Sequence, residues 1–255
     1  MVLPIFKSHY SIGKSILTLN PISKVEKGGA DSIIDIAKDA GLKEIVLVED
    51  TMHGFLEAKK NCQNAELNLI FGIRVNVCES YDTEKGRISS HKVIFFAKND
   101  EGVKSLYKIY SCIHCDHESK ISESDLKKIW DPDNLIMVIP FYDSFLYHNN
   151  LNYDANFMLD ASYFQPTFFI ESNNLPFDKL LENEILNFVD ASQGNKGFKT
   201  QQVKSIYYRN RSDFKAFQTY KMISNRSFGK ELSIENPNLE NCSSDEFCME
   251  SWLEL

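Results

Sequence analysis

Glu49, Asp50 and His53 close a short run of strand-forming residues, Glu44 to Gly54 (EIVLVEDTMHG). Two adjacent carboxylates and an imidazole are donor types that hold a divalent metal, and His9, in an early loop, is a fourth donor within plausible reach. A single metal held by Glu49, Asp50, His53 and His9 is therefore one reading of this stretch. The other is an ion-pair network, in which Glu49 or Asp50 caps a helix starting near Thr51 or pairs with Lys7 or Arg74. The network is the expected outcome, because paired charges satisfy buried polar groups without a metal.

The elements that must position these residues alternate along the chain. Residues 2–6 (VLPIF) read as a buried strand and residues 8–29 as a loop, and a helix follows from Asp31, with Asp31 or Ser32 as N-cap and Gly41 past its end. Leu42 to Val48 is a strand, which completes the strand, helix, strand order of a parallel sheet. Helices are expected at 55–62, 99–113 (capped by Asn99), 122–130 (with the S-x-x-D start of Ser122 and Asp125), 176–189 and 213–223. Strands are expected at 67–77, 93–97, 135–139, 167–170 and 203–208, while 82–90 is a polar loop and 153–164 is ambiguous. Six or seven strand-helix units with no long Pro/Gly-rich linker predict one barrel-like α/β domain over residues 1–228, followed by a covering or connecting segment at 229–255.

The 255 residues suffice to bury a sizeable core, and 43% apolar with 25% charged residues exclude wholesale disorder. A net charge of -8 argues against a free-standing nucleic-acid binder. One region does lean basic, from Lys196 to Lys230, and Lys204, Arg209, Arg211 and Lys215 are its candidate contacts to nucleic acid or an acidic partner. The helical spacing of Phe214, Phe217 and Tyr220 favours a solvated basic face over a stacking surface. Cys62, Cys78, Cys112, Cys115, Cys242 and Cys248 are scattered, which fits reduced thiols in a cytoplasmic protein. Lys7 breaks the first apolar run, so neither a secretory nor a membrane segment is expected. The run Cys112, His114, Cys115, Asp116, His117 lacks the second pair of a structural zinc site and reads as a frayed helix end. No phosphate-binding glycine loop is present, since SIGKS at 11–15 is too short.

Several stretches share the order of a known family. HKVIFFAKNDEGVKSLYKIYS at 91–111, with its A-K-N-x-E-G-x-x-x-L pattern, is the most specific; SHYSI at 8–12, GADSIIDIAKDAGLKEIVLVED at 29–50, LIFGIRV at 69–75, YYRNRSDFKAFQTYKMI at 207–223 and SDEFCMES at 244–251 support it. Together they resemble the PHP (polymerase and histidinol phosphatase) domain at the N-terminus of the bacterial replicative DNA polymerase III alpha subunit. The resemblance implies a distorted (β/α)7-type PHP barrel. In active members two or three metals, bound by His, Asp, Glu and sometimes Cys, clamp the attacking and leaving oxygens of a phosphoester and lower the pKa of bound water.

Carried over position by position, that ligand set is almost wholly replaced. The opening His-x-His falls on Ile5 and Lys7, the strand-end Asp-His on Glu49 and Asp50, the Glu after Gly on Arg74, and the late Asp-x-His on Ser205 and Tyr207. Lys7 and Arg74 would each add repulsion of about 4 kcal/mol per unit charge at about 4 Å and an effective dielectric near 20. The resemblance therefore implies a non-catalytic scaffold and protein-docking module in DNA replication, with no cofactor. The partners it implies are the rest of the polymerase and a separate proofreading exonuclease, with DNA met only weakly or indirectly and no membrane. Such divergence points to a phage or other fast-evolving replication system. The alternative is a metal-dependent phosphoesterase or 3'-5' exonuclease with a rebuilt zinc or manganese site.

Overall fold

The computed structural model describes residues 2–26, 28–81, 89–116, 119–152, 157–191, 198–225 and 243–255. In chain order the elements are β1 (Leu3–Phe6), α1 (Ile33–Asp39), β2 (Glu44–Glu49), α2 (Phe55–Asn64), β3 (Asn68–Cys78), β4 (Ser90–Ala97), α3 (Asp100–Ser111), β5 (Ile121–Ser122) and α4 (Glu123–Ile129). There follow β6 (Leu135–Ile139), the helical turns α5 (Phe145–Tyr147) and α6 (Ala161–Phe164), β7 (Thr167–Ile170), α7 (Asp178–Ala191), β8 (Lys199–Ile206), α8 (Phe214–Asn225) and α9 (Met249–Leu253).

Two compact units share the chain: Met1–Phe71 with Glu171–Asp178 and Val203–Leu255, and Gly72–Ile170 with Lys179–Gln202. In the first unit, β1 runs parallel to β2 (Ile5↔Val46) and to the end of β8 (Ile5↔Ser205). In the second, β7 runs parallel to β6 and to the start of β8. The strand order is β2-β1-β8-β7-β6-β4-β3, and a β2–β3 pairing closes it into a seven-stranded barrel with β5 branching from β3. The fold is thus mixed α/β.

Local chemistry explains the boundaries. Ser32 accepts the Asp35 amide at 3.3 Å to start α1, and Gly41, at φ 67°, takes the left-handed turn after its end. Asn99 accepts the Gly102 amide at 2.8 Å to start α3, and Ser122 accepts the Asp125 amide at 3.1 Å to start α4. The four residues Ile45 to Val48 are all buried, as befits a strand covered on both faces. The expected parallel alternation is broken once: β4 is antiparallel to both β3 and β6. β3 and β4 pair side by side as consecutive strands, and an antiparallel pair needs no crossover connection. β4 also begins at Ser90, earlier than its apolar core suggests, and β8 spans 199–206, so that Tyr207 and Tyr208 lie past its end.

Of the ambiguous stretch, residues 153–156 fall outside the described residues, as do most of the 82–90 loop, His117, Lys196, Arg226 and residues 227–242. Cys62, Cys78, Cys115 and Cys248 are free thiols. Among the described residues no helix is long and apolar enough to cross a membrane.

Candidate functional site

Parallel register sets the site in the first unit. Ile5 pairs with Ser205, and Lys7 and Tyr207 each follow the last residue of their strands, β1 and β8, whose ends Phe6 and Ile206 are also paired. The positions expected to carry the family's first and last ligands are therefore brought together. What stands there is a methyl-bearing side chain, an ammonium, a hydroxyl and a phenol ring.

Glu49, the last residue of β2, is fully buried. One of its oxygens accepts the Ser8 amide at 2.9 Å and the other accepts the Ser11 hydroxyl, whose oxygen in turn accepts the Asp50 amide at 2.9 Å. Lys7, buried to 4% exposure, places its Nζ 2.8 Å from Asp50 Oδ1. Burial raises the Glu49 carboxyl above the usual carboxylate range, opposed by the Lys7 charge and by the hydrogen bonds from Ser11 and Ser8. Of the two cations expected to meet these carboxylates, Lys7 pairs with Asp50, while Arg74, in the second unit, donates to Asp143 and, at 3.5 Å, to the Tyr142 carbonyl. Neither carboxylate caps a helix at Thr51, because α2 starts at Phe55 behind Gly54. His53 and His9 are exposed, and the His9 ring lies 4.4 Å from that of Tyr10.

A second network of the same build escaped the sequence reading. Glu171, directly past β7, accepts the Ser205 amide at 3.2 Å, the Ser205 hydroxyl at 2.9 Å and the Asn173 amide group at 3.0 Å. Burial again raises its carboxyl, against the pull of Asn173, Ser205 and Lys204. Ser205 thus serves as a donor to a carboxylate. Tyr207 is stacked between Phe217 (5.8 Å, 18°) and Phe247 (5.4 Å, 9°), and its carbonyl accepts the Ser15 hydroxyl at 2.9 Å. The signal for Glu171 was present: like Glu49, it is the first carboxylate at the C-terminal end of a short apolar strand.

His91, on β4 of the second unit, was also passed over. It is 1% exposed, stacked on Phe157 at 5.1 Å and edge-on to Phe145 at 5.3 Å, and its Nε2 has no hydrogen-bond partner among the described residues. Burial pushes its pKa down to about 4.

The four basic candidates are mostly spent inside the chain. Lys204, expected on a contact face, is 3% exposed and donates to the Ser172 carbonyl at 3.1 Å and to Glu246 at 3.5 Å. Arg209 pairs with Asp39 at 2.7 Å, and Arg211 holds Glu254 at 2.6 Å and Glu246 at 3.1 Å. Only Lys215 of the four is well exposed, and Tyr207, Tyr208 and Phe217 are core rings with no face for a base. The Cys112–Asp116 run forms a π-helical turn at the end of α3, where the His114 ring lies tilted against that of Tyr110 at 4.3 Å.

These residues do not fit a metal cluster of the family's kind. Ile5 offers no donor, Lys7 brings a buried cation onto Asp50, and each oxygen of Glu49 already carries a hydrogen-bond donor. Among the described residues no group of three or more His, Cys, Asp and Glu side chains is placed to hold a metal ion.

No curated protein is matched by the chain at a significant level. Among solved structures, an amidohydrolase from Chromobacterium violaceum, with bound sulfate and no metal, shares 19% identity over 44% of this chain and 32% of its own, at a TM-score of 0.30. A protein described as a metal-dependent phosphoesterase from Bifidobacterium adolescentis shares 13% over 44% of this chain and 35% of its own, at a TM-score of 0.25. The chain spans about a third of the length of each. The family model of the PHP domain matches residues 27–147, which takes in Glu49, Asp50 and Arg74 and stops short of Ile5, Lys7, Ser205 and Tyr207. A PHP domain is therefore found in this chain, over residues 27–147.

Proposed function

We propose that the chain is a non-catalytic PHP-type scaffold and protein-docking module of a replicative DNA polymerase of the alpha-subunit type, either as part of that subunit or as a separate chain beside it. The carrying observation is the Lys7–Asp50 ion pair at 2.8 Å, with both oxygens of Glu49 engaged by Ser8 and Ser11 in the same network. A fold hosts many functions, so the reading rests on the chemistry of the site. The link to replication rests on motif resemblance, strongest at residues 91–111. In this reading residues 1–228 are the barrel and 229–255 its covering or connecting segment. The partners are the remaining polymerase and a proofreading exonuclease, in the cytoplasm of a host cell, in a phage or similarly fast-evolving replication system.

Metal content and phosphodiester hydrolysis test it, measured on the purified chain with manganese and with zinc. The expected result is substoichiometric metal and no hydrolysis above a buffer control. Stoichiometric metal together with an activity lost in Asp50→Ala would establish the rebuilt phosphoesterase instead.

A further inference from the structure

The loop after β1 is tied down at two points. The Tyr10 hydroxyl donates to Glu57 on α2 at 2.5 Å, and its ring lies against Gly54, where an added Cβ would come within 2.8 Å of it. Three residues on, the Gly13 amide donates to the Tyr220 hydroxyl at 3.2 Å, and a Cβ on Gly13 would collide with the Ser224 hydroxyl of α8. The loop therefore bridges from α2 to α8. Among the described residues, three of the most exposed aliphatic side chains belong to the loop and the two helices it ties: Ile12 (79%) between the two ties, Leu56 (71%) next to Glu57, and Ile223 (61%) next to Ser224. Single exposed apolar residues are ordinary, but one on the loop and one on each of the two helices it ties together mark an interaction surface.

Its charge identifies the partner. Lys59 and Lys60 follow Leu56 at three and four residues, on the same helix face, and Lys14 adjoins Gly13. Glu57 is engaged by Tyr10, and α8 contains no acidic residue. This surface is basic on a chain whose net charge is -8. We propose that it docks an amphipathic, acidic segment of a partner protein, whose apolar side chains cover Ile12, Leu56 and Ile223 while its carboxylates meet Lys14, Lys59 and Lys60. The proposal rests on the docking role given above and locates it. Complementary rim charges of this kind set specificity and association rate.

The test is an NMR titration of the isotope-labelled full chain with two synthetic helical peptides of identical leucine pattern, one flanked by Glu and one by Lys. The Glu peptide is expected to shift the amides of Ile12, Leu56 and Ile223 saturably, to weaken with salt, and to lose about tenfold in affinity in a well-folded Ile12→Ser/Leu56→Ser variant. The Lys peptide is expected not to bind. Equal binding of both peptides, or no saturable shift at these residues, overturns the proposal. So does a photo-cross-linker at position 12 that captures residues 226–242 of the same chain in place of the Glu peptide. Metal content does not enter these readouts, so a metal-dependent activity would sink the non-catalytic reading and leave the docking surface standing.

Discussion

Glu49 and Glu171 are two solutions to the same problem. Each is a buried carboxylate at the end of a parallel strand, and each accepts a backbone amide and a serine hydroxyl from the neighbouring segment. They differ in their surroundings. Glu49 stands beside an ion pair, Lys7–Asp50, whose acidic member keeps 29% of its side chain exposed; Glu171 is enclosed, with Asn173 as its third donor. The difference teaches that this fold holds one buried carboxylate beside an ion pair and the other by three hydrogen bonds with the Lys204 charge acting on it.

Removing each member in turn would sharpen that comparison. Glu171→Ala strands Ser205 and Asn173 without an acceptor in a closed site and is expected to cost about 3–5 kcal/mol in urea unfolding, the largest effect. Glu49→Ala leaves the Ser8 amide and Ser11 hydroxyl unpaired, with an expected cost of about 2–3 kcal/mol. Lys7→Met should cost only about 1 kcal/mol, because Asp50 can turn to water, and Lys7→Met/Asp50→Asn should recover part of it. A Lys7→Met cost larger than that of Glu171→Ala would break the comparison.

The pH dependence separates these carboxylates from His91. Glu49 and Glu171 are raised in the folded state, so their contribution is full below the unfolded carboxylate range and is lost as pH rises through the folded values. His91 runs the other way. Its folded value near 4 lies below the ordinary 6.5, so its contribution is full above 6.5 and is lost as pH falls towards 4. From that gap, His91→Phe should flatten the acid limb of the stability curve by about 3 kcal/mol between those limits, read by denaturant titration across pH.

Local signals in the sequence were enough to locate the helix starts, because Ser32, Asn99 and Ser122 each close a cap within a few residues. The short apolar runs located the strands. Strand direction was not legible, since an apolar run reads the same whether its strand lies parallel or, as β4 does, antiparallel to its neighbours. Within the site, the Lys7–Asp50 pair could be anticipated because motif positions placed a cation among carboxylates. Glu171 and His91 could not be weighed in the same way: each is one polar residue bordering or within a strand, and only tertiary packing shows that it is buried. For the same reason Lys204 and Arg211 read as surface charge, although their partner Glu246 lies in the distant C-terminal segment.

The most direct test of the central claim, that side-chain pairs stand where the family binds metal, is thermal unfolding with manganese or zinc against a chelator. A metal bound to the native state at a hundredfold excess over its Kd adds about 2.7 kcal/mol, or about 5 °C in a chain of this size. The ion-pair network predicts an unchanged midpoint. A rise of several degrees that Asp50→Asn abolishes would contradict it.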